Sequence, residues 1–284
     1  MDFIFKNMED AIWLHEYFIK RNQMFWFHES FFQNQKQYFI TADEDTVPLK
    51  DVQVGFIQFI IKKKRIDWIK DILKDYFYYK EESEQNNIID IVIDMLNGER
   101  KELTDIIGKI NEEEMIMEAI FPLIKHQESI SFDSVIKFRL KDYFEKLVQY
   151  AEMAIDEYKM EQEYQVFIQT LRDYLSTREP KLETVRILFE ENSIFYNKNF
   201  KEITKQELTD LMDRRLLTNH PIYIDSVTIA PLLSIAPRKI YLYNDSLDNG
   251  LIRTIQNIFE ERVILLKKEH FKKGKSFTIA GNKV

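Results

Sequence analysis

Histidine followed by glutamate occurs twice, in the order that begins a zinc-protease helix. The pairs are His15-Glu16 and His28-Glu29. Each lacks a second histidine four residues further on, so one helix face could not bind zinc through two ligands. The five histidines are scattered and there is no cysteine, which also removes disulfides, thiol nucleophiles and Cys-ligated zinc. We therefore expect no metal site.

Glycine is scarce, and this limits the cofactor chemistry that the chain can support. The 284 residues include six glycines, and no two of them lie closer than seven positions apart. Dinucleotide and P-loop motifs need closer spacing, because the backbone must approach the phosphates. A Gly-x-Ser-x-Gly nucleophile elbow is also missing from the sequence. We expect no cofactor and no recognisable catalytic constellation.

Asn244-Asp245-Ser246 is the best-placed polar group, because it follows Lys239–Tyr243, which reads as a strand. Ligands of open α/β sheets bind beyond the carboxyl ends of strands, near helix N-termini. The same residue types also cap the N-terminus of a following helix. The trio is therefore a candidate ligand site, with capping of the next helix as the alternative. Acidic runs such as Glu112-Glu113-Glu114 indicate solvated helix faces unless they converge in a pocket.

The C-terminal segment Lys267–Lys275 holds five lysines and one glutamate. Such a segment could contact phosphates without sequence preference, and a frayed tail is the alternative. The whole chain has a net charge of −8 and a pI near 5.4, which argues against a nucleic-acid partner in general. Nucleic-acid contact through this basic tail is kept as an alternative function.

One aromatic residue lies on the wrong side of the central helical segment. Phe138 is about 160° from Leu140 around a helix, opposite the apolar stripe. Arg139 lies at the edge of the stripe, one turn before Tyr143. An aromatic on a polar face is exposed, covered by another part of the chain, or in contact with a partner. Phe138, Arg139 and Tyr143 are our candidate interaction residues.

Apolar periodicity predicts a mixed α/β (α+β) protein with a predominantly helical centre. Asp2–Lys6, Met24–His28 and Tyr38–Thr41 read as short N-terminal strands. Residues 48–127 read as several helices. Residues 131–178 give the clearest stripe, in a long helix to about Tyr158 followed by a second helix.

The C-terminal part predicts a βαβ unit. Lys239–Tyr243 and Arg262–Leu266 read as strands, and the apolar residues from Leu247 to Ile258 between them have helical spacing. A strand, helix and strand within so few residues imply parallel strands and a right-handed crossover. We expect the N-terminal strands to pair with this sheet, so that residues 1–284 form a single intertwined domain. The alternative is a division into residues 1–130 and 131–284.

The N-terminus has no basic segment followed by an apolar run, so no secretory signal is expected. No window approaches 18 uninterrupted apolar residues, so we expect no membrane span. The expected location is the cytoplasm.

An ordered set of short motifs resembles the core of the YtxC-like family of sporulation proteins. The motifs are Phe138–Tyr143, Ala154–Tyr158, Glu163–Ile168, Arg178–Lys181, Val185–Ile187, Leu232–Ile240 and Asn257–Phe259. They cover about half of the chain closely, and the total length and motif order fit the rest. The resemblance implies a cytoplasmic protein of endospore-forming bacteria, and it supplies no catalytic residue.

The leading hypothesis is a non-enzymatic, sporulation-associated protein that binds an unidentified protein partner. A second is an unrecognised enzyme or ligand-binding protein with its site after the strand Lys239–Tyr243. The third is nucleic-acid contact through the basic tail. Nothing in the sequence sets the oligomeric state.

Overall fold

The chain divides into two compact units, Met1–Glu161 (the N-terminal unit) and Gln162–Val284 (the C-terminal unit). The computed structural model describes residues 1–32, 34–42, 47–126, 129–213, 227–245 and 250–281. Helices dominate the centre, and each unit contains a small four-stranded sheet. The predicted α+β class is confirmed.

The N-terminal unit packs helices against one face of a sheet with the strand order β2-β3-β1-β4. Its strands are β1 (Asp2–Phe5), β2 (Phe25–Phe32), β3 (Gln35–Ala42) and β4 (Ser129–Ser131). Its helices are α1 (Met8–Ile19), α2 (Leu49–Phe59), α3 (Arg65–Asp75), α4 (Glu82–Asn97), α5 (Lys101–Ile107), α6 (Glu112–His126), α7 (Phe132–Arg139) and the first part of α8 (Lys141–Ser176). β1 pairs antiparallel with β3 and parallel with β4.

A π-helical turn, Ile60–Lys64, joins α2 to α3 without interrupting the helix. The wider turn shifts the phase of the side chains that follow it. Lys64 reaches the buried Asp10 carboxylate at 2.9 Å, while its neighbour Arg65 reaches Glu112 at 2.6 Å. Burial raises the pKa of Asp10, while the hydrogen bond and charge of Lys64 oppose that rise. Two adjacent cations thus pair with one buried and one partly buried carboxylate.

The break in the central helical segment lies at Leu140, between α7 and α8. The sequence pattern predicted this break after Tyr158, where the apolar stripe changes face, and that prediction was wrong. Ile155 belongs to the core of the N-terminal unit, and Ile168 belongs to the core of the C-terminal unit. The stripe changes face because α8 serves two cores, and no glycine or proline interrupts it.

The C-terminal unit is built on a sheet with the strand order β6-β5-β7-β8. Its strands are β5 (Thr184–Phe189), β6 (Ser193–Tyr196), β7 (Lys239–Tyr243) and β8 (Val263–Leu266). Its further helices are α9 (Lys205–Leu211), α10 (Ile229–Ile235), α11 (Gly250–Phe259) and α12 (Lys268–Gly281). β5, β7 and β8 run parallel, and β6 pairs antiparallel with β5. The predicted βαβ unit is found as β7-α11-β8.

The expected pairing between the N-terminal strands and the C-terminal sheet is not formed among the described strands. β1 has β3 on one side and β4 on the other, so both of its edges are occupied. The alternative boundary at residue 130 falls inside β4, which pairs with β1. Whether the two units unfold as one domain stays a prediction.

Candidate functional site

Phe138 and Arg139 lie together on the surface at the end of α7. Phe138 is 70% exposed and Arg139 is also exposed. The next residue, Leu140, is fully buried and ends the helix, so α7 is fixed where the two side chains emerge. The first two candidate interaction residues are therefore adjacent and accessible.

Tyr143, the third candidate interaction residue, lies in the core and is only 1% exposed. Its hydroxyl donates a hydrogen bond to Glu112 Oε1 at 2.6 Å. Glu112 Oε2 accepts a second hydrogen bond from Arg65 Nη1, also at 2.6 Å. Tyr143 therefore does not share the surface of Phe138 and Arg139. It belongs to a buried trio that joins α3, α6 and α8.

In the buried trio, Arg65, Glu112 and Tyr143, the one carboxylate is paired with the one cation and also accepts the tyrosine hydrogen bond. Burial and the neighbouring Glu112 carboxylate raise the pKa of Tyr143 well above its usual value, so the phenol stays protonated as a donor. A cavity of about 600 Å³ adjoins the trio and is lined by Arg65, Lys109 and Glu113 among others. Its cations and carboxylates are balanced, and the trio has the arrangement of a clamp between helices.

A second trio of the same residue types lies in the C-terminal unit. Arg178 Nη2 donates to Asp213 Oδ2 at 2.6 Å, and the Tyr174 hydroxyl donates to the same oxygen at 3.2 Å. The Arg178 guanidinium also stacks over the Tyr174 ring at 4.2 Å. Burial raises the pKa of Tyr174 to about 12. This trio is more exposed than the buried trio of the N-terminal unit.

Asn244 and Asp245 follow β7 at the sheet edge where parallel strands β5, β7 and β8 all end. Asp245 Oδ1 accepts a hydrogen bond from the Lys268 backbone N–H at 3.2 Å. Asp245 thus bonds to the first turn of α12, although the alternative predicted capping of the next helix, α11. Ser246 lies outside the described residues. A 470 Å³ cleft here is lined by Glu190, Asp245 and Glu269 with Lys267, Lys268 and Lys272.

The outer face of the N-terminal sheet is rich in exposed aromatic side chains, which the sequence analysis did not single out. Trp26 is 49% exposed and Phe32 is 59% exposed on β2, the last strand of the sheet. Between them His28 stacks on Phe39 of β3, with ring centroids 4.9 Å apart. The available signal was the run Phe25–His28, whose alternation places aromatics on both faces of a strand.

Two absences hold for the part of the chain that the structure describes. No group of three or more histidine, aspartate and glutamate side chains is arranged to hold a metal ion. No described helix combines the length and the apolar character that crossing a membrane requires.

The fold and these surfaces define a two-unit α+β protein with a buried Arg–Glu–Tyr trio and an open aromatic sheet face. The YtxC-like family model matches residues 51–264, about three quarters of the chain, and the chain belongs to this family. The match includes Phe138 and the buried trio, but not β2 or α12.

A relative in Bacillus subtilis (strain 168), described as "Uncharacterized protein YtxC", is 33% identical over 215 residues. The aligned region covers 76% of each chain. No solved structure matches the chain.

Proposed function

We propose that this chain is a non-enzymatic cytoplasmic factor of spore formation that binds a protein partner through its N-terminal unit. The biological setting rests on the resemblance to sporulation proteins. The binding role is carried by one observation, the open edge and exposed aromatic face of β2. Aromatic residues are enriched in protein interfaces, where they account for much of the binding energy.

The main chain of β2 has hydrogen-bonding groups directed away from the sheet. Ala42 exchanges both of its backbone hydrogen bonds with Met1, so Phe25, which faces Ala42 in the register, points its own groups outward. In an antiparallel pair the outward residues alternate. The outward set therefore continues with Phe27, Glu29 and Phe31.

Among the residues that the structure describes, the edge of β2 is only partly blocked. The Phe25 carbonyl oxygen lies 3.1 Å from His15 Nε2, so one outward group has a partner. The strand contains neither proline nor lysine, two residue types that commonly protect an edge from pairing. The occupant that fits is an extended segment of a partner protein. Its main chain would pair with Phe27, Glu29 and Phe31, and alternate apolar side chains would contact Trp26 and Phe32.

Phe138 and Arg139 form the second proposed contact. A phenyl ring that is 70% exposed beside a cation fits a partner surface with an apolar pocket and an acidic rim. Partner binding that survives both Phe138→Ala and Arg139→Glu would remove this contact from the proposal and leave the edge of β2 standing.

The edge is tested by affinity capture of the tagged chain from sporulating cells, with nuclease treatment, using three variants. Trp26→Ala/Phe32→Ala removes exposed aromatics, and Ile106→Ala/Met160→Ala is the control, because these apolar side chains are 70% and 65% exposed elsewhere in the unit. Glu29→Pro removes an outward N–H, which an edge strand tolerates.

The proposal predicts one near-stoichiometric protein that is retained by the wild type and the control. The same protein is lost with Trp26→Ala/Phe32→Ala and with Glu29→Pro, while all four chains keep the same circular dichroism spectrum. Retention of the partner by both edge variants would contradict the proposal.

A further inference from the structure

The acidic charge of the chain is not shared evenly between its two units. Met1–Glu161 contains 21 Lys+Arg and 32 Asp+Glu, a net charge of −11. Gln162–Val284 contains 19 Lys+Arg and 16 Asp+Glu, a net charge of +3. The whole-chain value of −8 therefore describes neither unit, and it gives no reason to exclude a polyanion as a ligand of the C-terminal unit.

The basic segment lies almost entirely in the helix α12, Lys268–Gly281. Its anchor is Phe271, which is 5% exposed and lies among the rings of Tyr196, Phe200 and Tyr243 at centroid distances of 4.7, 5.4 and 5.1 Å. One turn on, Gly274 leaves space that the Phe200 ring approaches, since a Cβ there would lie 2.5 Å from it. These contacts fix which face of α12 is turned to the sheet.

Three lysines form a stripe beside this packed face. Lys268, Lys272 and Lys275 follow one another at steps of four and three, so they share one side of α12 and span about 10 Å along it. Lys272 and Lys275 are exposed, and Lys268 is half-buried. Within the described residues, none of the three ammonium groups has a carboxylate within 4 Å.

We propose that the lysine stripe of α12, Lys268, Lys272 and Lys275, binds the phosphate backbone of a nucleic acid without sequence preference. Lysine contacts phosphate as a point charge, and the stripe has no arginine to read base edges. Its length of about 10 Å matches roughly three base-pair steps of 3.4 Å. Because Asp245 occupies an N–H in the first turn, the phosphates contact the lysine side chains.

A membrane surface fits the stripe less well than a nucleic acid. Amphipathic helices bind bilayers by burying an apolar face among the lipids. In the part of α12 whose side chains the structure describes, the apolar Phe271 is already covered by an aromatic cluster of the unit. Binding by α12 therefore rests on charge alone, and the regular phosphate array of a duplex supplies the complementary charge.

The test uses the full chain and a fluorescently labelled 20-base-pair duplex of mixed sequence, with anisotropy read between 50 and 200 mM salt. The variant is Lys268→Gln/Lys272→Gln/Lys275→Gln. The matched control is Lys198→Gln/Lys201→Gln/Lys205→Gln, which removes three exposed lysines from the same unit and gives the same net charge. Circular dichroism confirms that both variants remain folded.

Three phosphate contacts predict a slope of about −3 for the logarithm of the binding constant against the logarithm of salt concentration. At 50 mM salt we expect the stripe variant to bind at least about tenfold more weakly than wild type, while the control stays within about threefold. Between 50 and 200 mM salt, the stripe variant should also lose most of the slope. Equal losses in the two variants would overturn the proposal. So would stripe-dependent binding to anionic phosphatidylglycerol vesicles without binding to the duplex.

Discussion

Each unit contains an arginine, a carboxylate and a tyrosine joined by hydrogen bonds, yet the two trios have different surroundings. The side chains of Arg65 and Glu112 are 11% and 12% exposed, whereas those of Arg178 and Asp213 are 34% and 19% exposed. Water therefore screens the second pair more than the first. The same three chemical groups can form a helix clamp in one place and a modest surface contact in another.

Burial also changes what the loss of one partner does. Removing a carboxylate from a buried pair leaves an uncompensated charge in the core, and this penalty exceeds the value of the intact pair. One buried nitrogen of Arg65, Nε, already has no hydrogen-bond partner. We therefore expect no other acceptor to take the place of the Glu112 carboxylate. Substitutions in the buried trio should therefore cost more stability than substitutions in the more exposed trio.

The largest effect is expected for Glu112→Ala, which leaves Arg65 and the Tyr143 hydroxyl without their shared acceptor. The free energy of unfolding should fall by about 3–5 kcal/mol. Tryptophan fluorescence in urea reports the unfolding of the N-terminal unit, because Trp13, Trp26 and Trp68 all lie there. Glu113→Ala, at an exposed neighbouring residue, should change stability by less than about 0.5 kcal/mol. Equal effects of the two substitutions would show that the trio does not clamp the helices.

The second largest effect is expected for Tyr143→Phe, in the dependence of stability on pH above pH 10. The folded state raises the pKa of Tyr143 above the unfolded value near 10, so its contribution is present below pH 10 and is lost as the pH rises further. Tyr143→Phe should therefore remove about 1.4 kcal/mol per pH unit from the decline in stability above pH 10. Tyr174 has a pKa near 12, so the stability difference between wild type and Tyr174→Phe should stop growing at about pH 12. Identical alkaline slopes for wild type and Tyr143→Phe would contradict this account.

A smaller loss is expected for Arg178→Gln in the more exposed trio. Exposed ion pairs contribute about 0.2–1 kcal/mol, so the free energy of unfolding should fall by no more than about 1 kcal/mol. Far-UV circular dichroism is the readout, because the C-terminal unit has no tryptophan. A loss as large as that of Glu112→Ala would remove the contrast between the two trios.

Phe138→Ala should have the smallest effect on stability, below about 0.5 kcal/mol, because the ring is 70% exposed. Thermal unfolding measures this change directly. A loss above about 2 kcal/mol would mean that the ring is part of the fold and not a contact for a partner.

The two optical probes also test how many domains the chain has. Tryptophan fluorescence follows the N-terminal unit alone, whereas circular dichroism follows both units. A single intertwined domain predicts coincident urea transitions, and two independent domains predict that the circular dichroism transition is broader or biphasic.

Regular elements could be predicted from local patterns. The short apolar run in Asp2–Lys6 and the strand–helix–strand spacing after Lys239 correspond to β1 and to β7-α11-β8. These elements can be recognised from the sequence because burial on one face imposes an apolar period of two residues in a strand and of 3.6 residues in a helix. The helix break at Leu140 had no comparable signal, since no glycine or proline marks it.

The buried trio could not be predicted in this way. Glu112 is 47 residues from Arg65 and 31 residues from Tyr143, so tertiary packing alone brings them together. In the sequence, Glu112 begins an acidic run that reads as a solvated helix face. Tyr143 was grouped with Arg139 because it lies one turn further on, but it belongs to the apolar stripe and lies beyond the break at Leu140, with its side chain in the core. Distance along the helix was not a guide to surface location.

The most direct test of the account is amide hydrogen exchange of β2 in the chain alone and in its complex with the captured partner. Strand addition predicts that the outward amides of Phe27, Glu29 and Phe31 exchange at least about tenfold more slowly in the complex. The inward amides, already bonded to β3, should change much less. Unchanged exchange at all three outward amides would contradict partner binding at this edge.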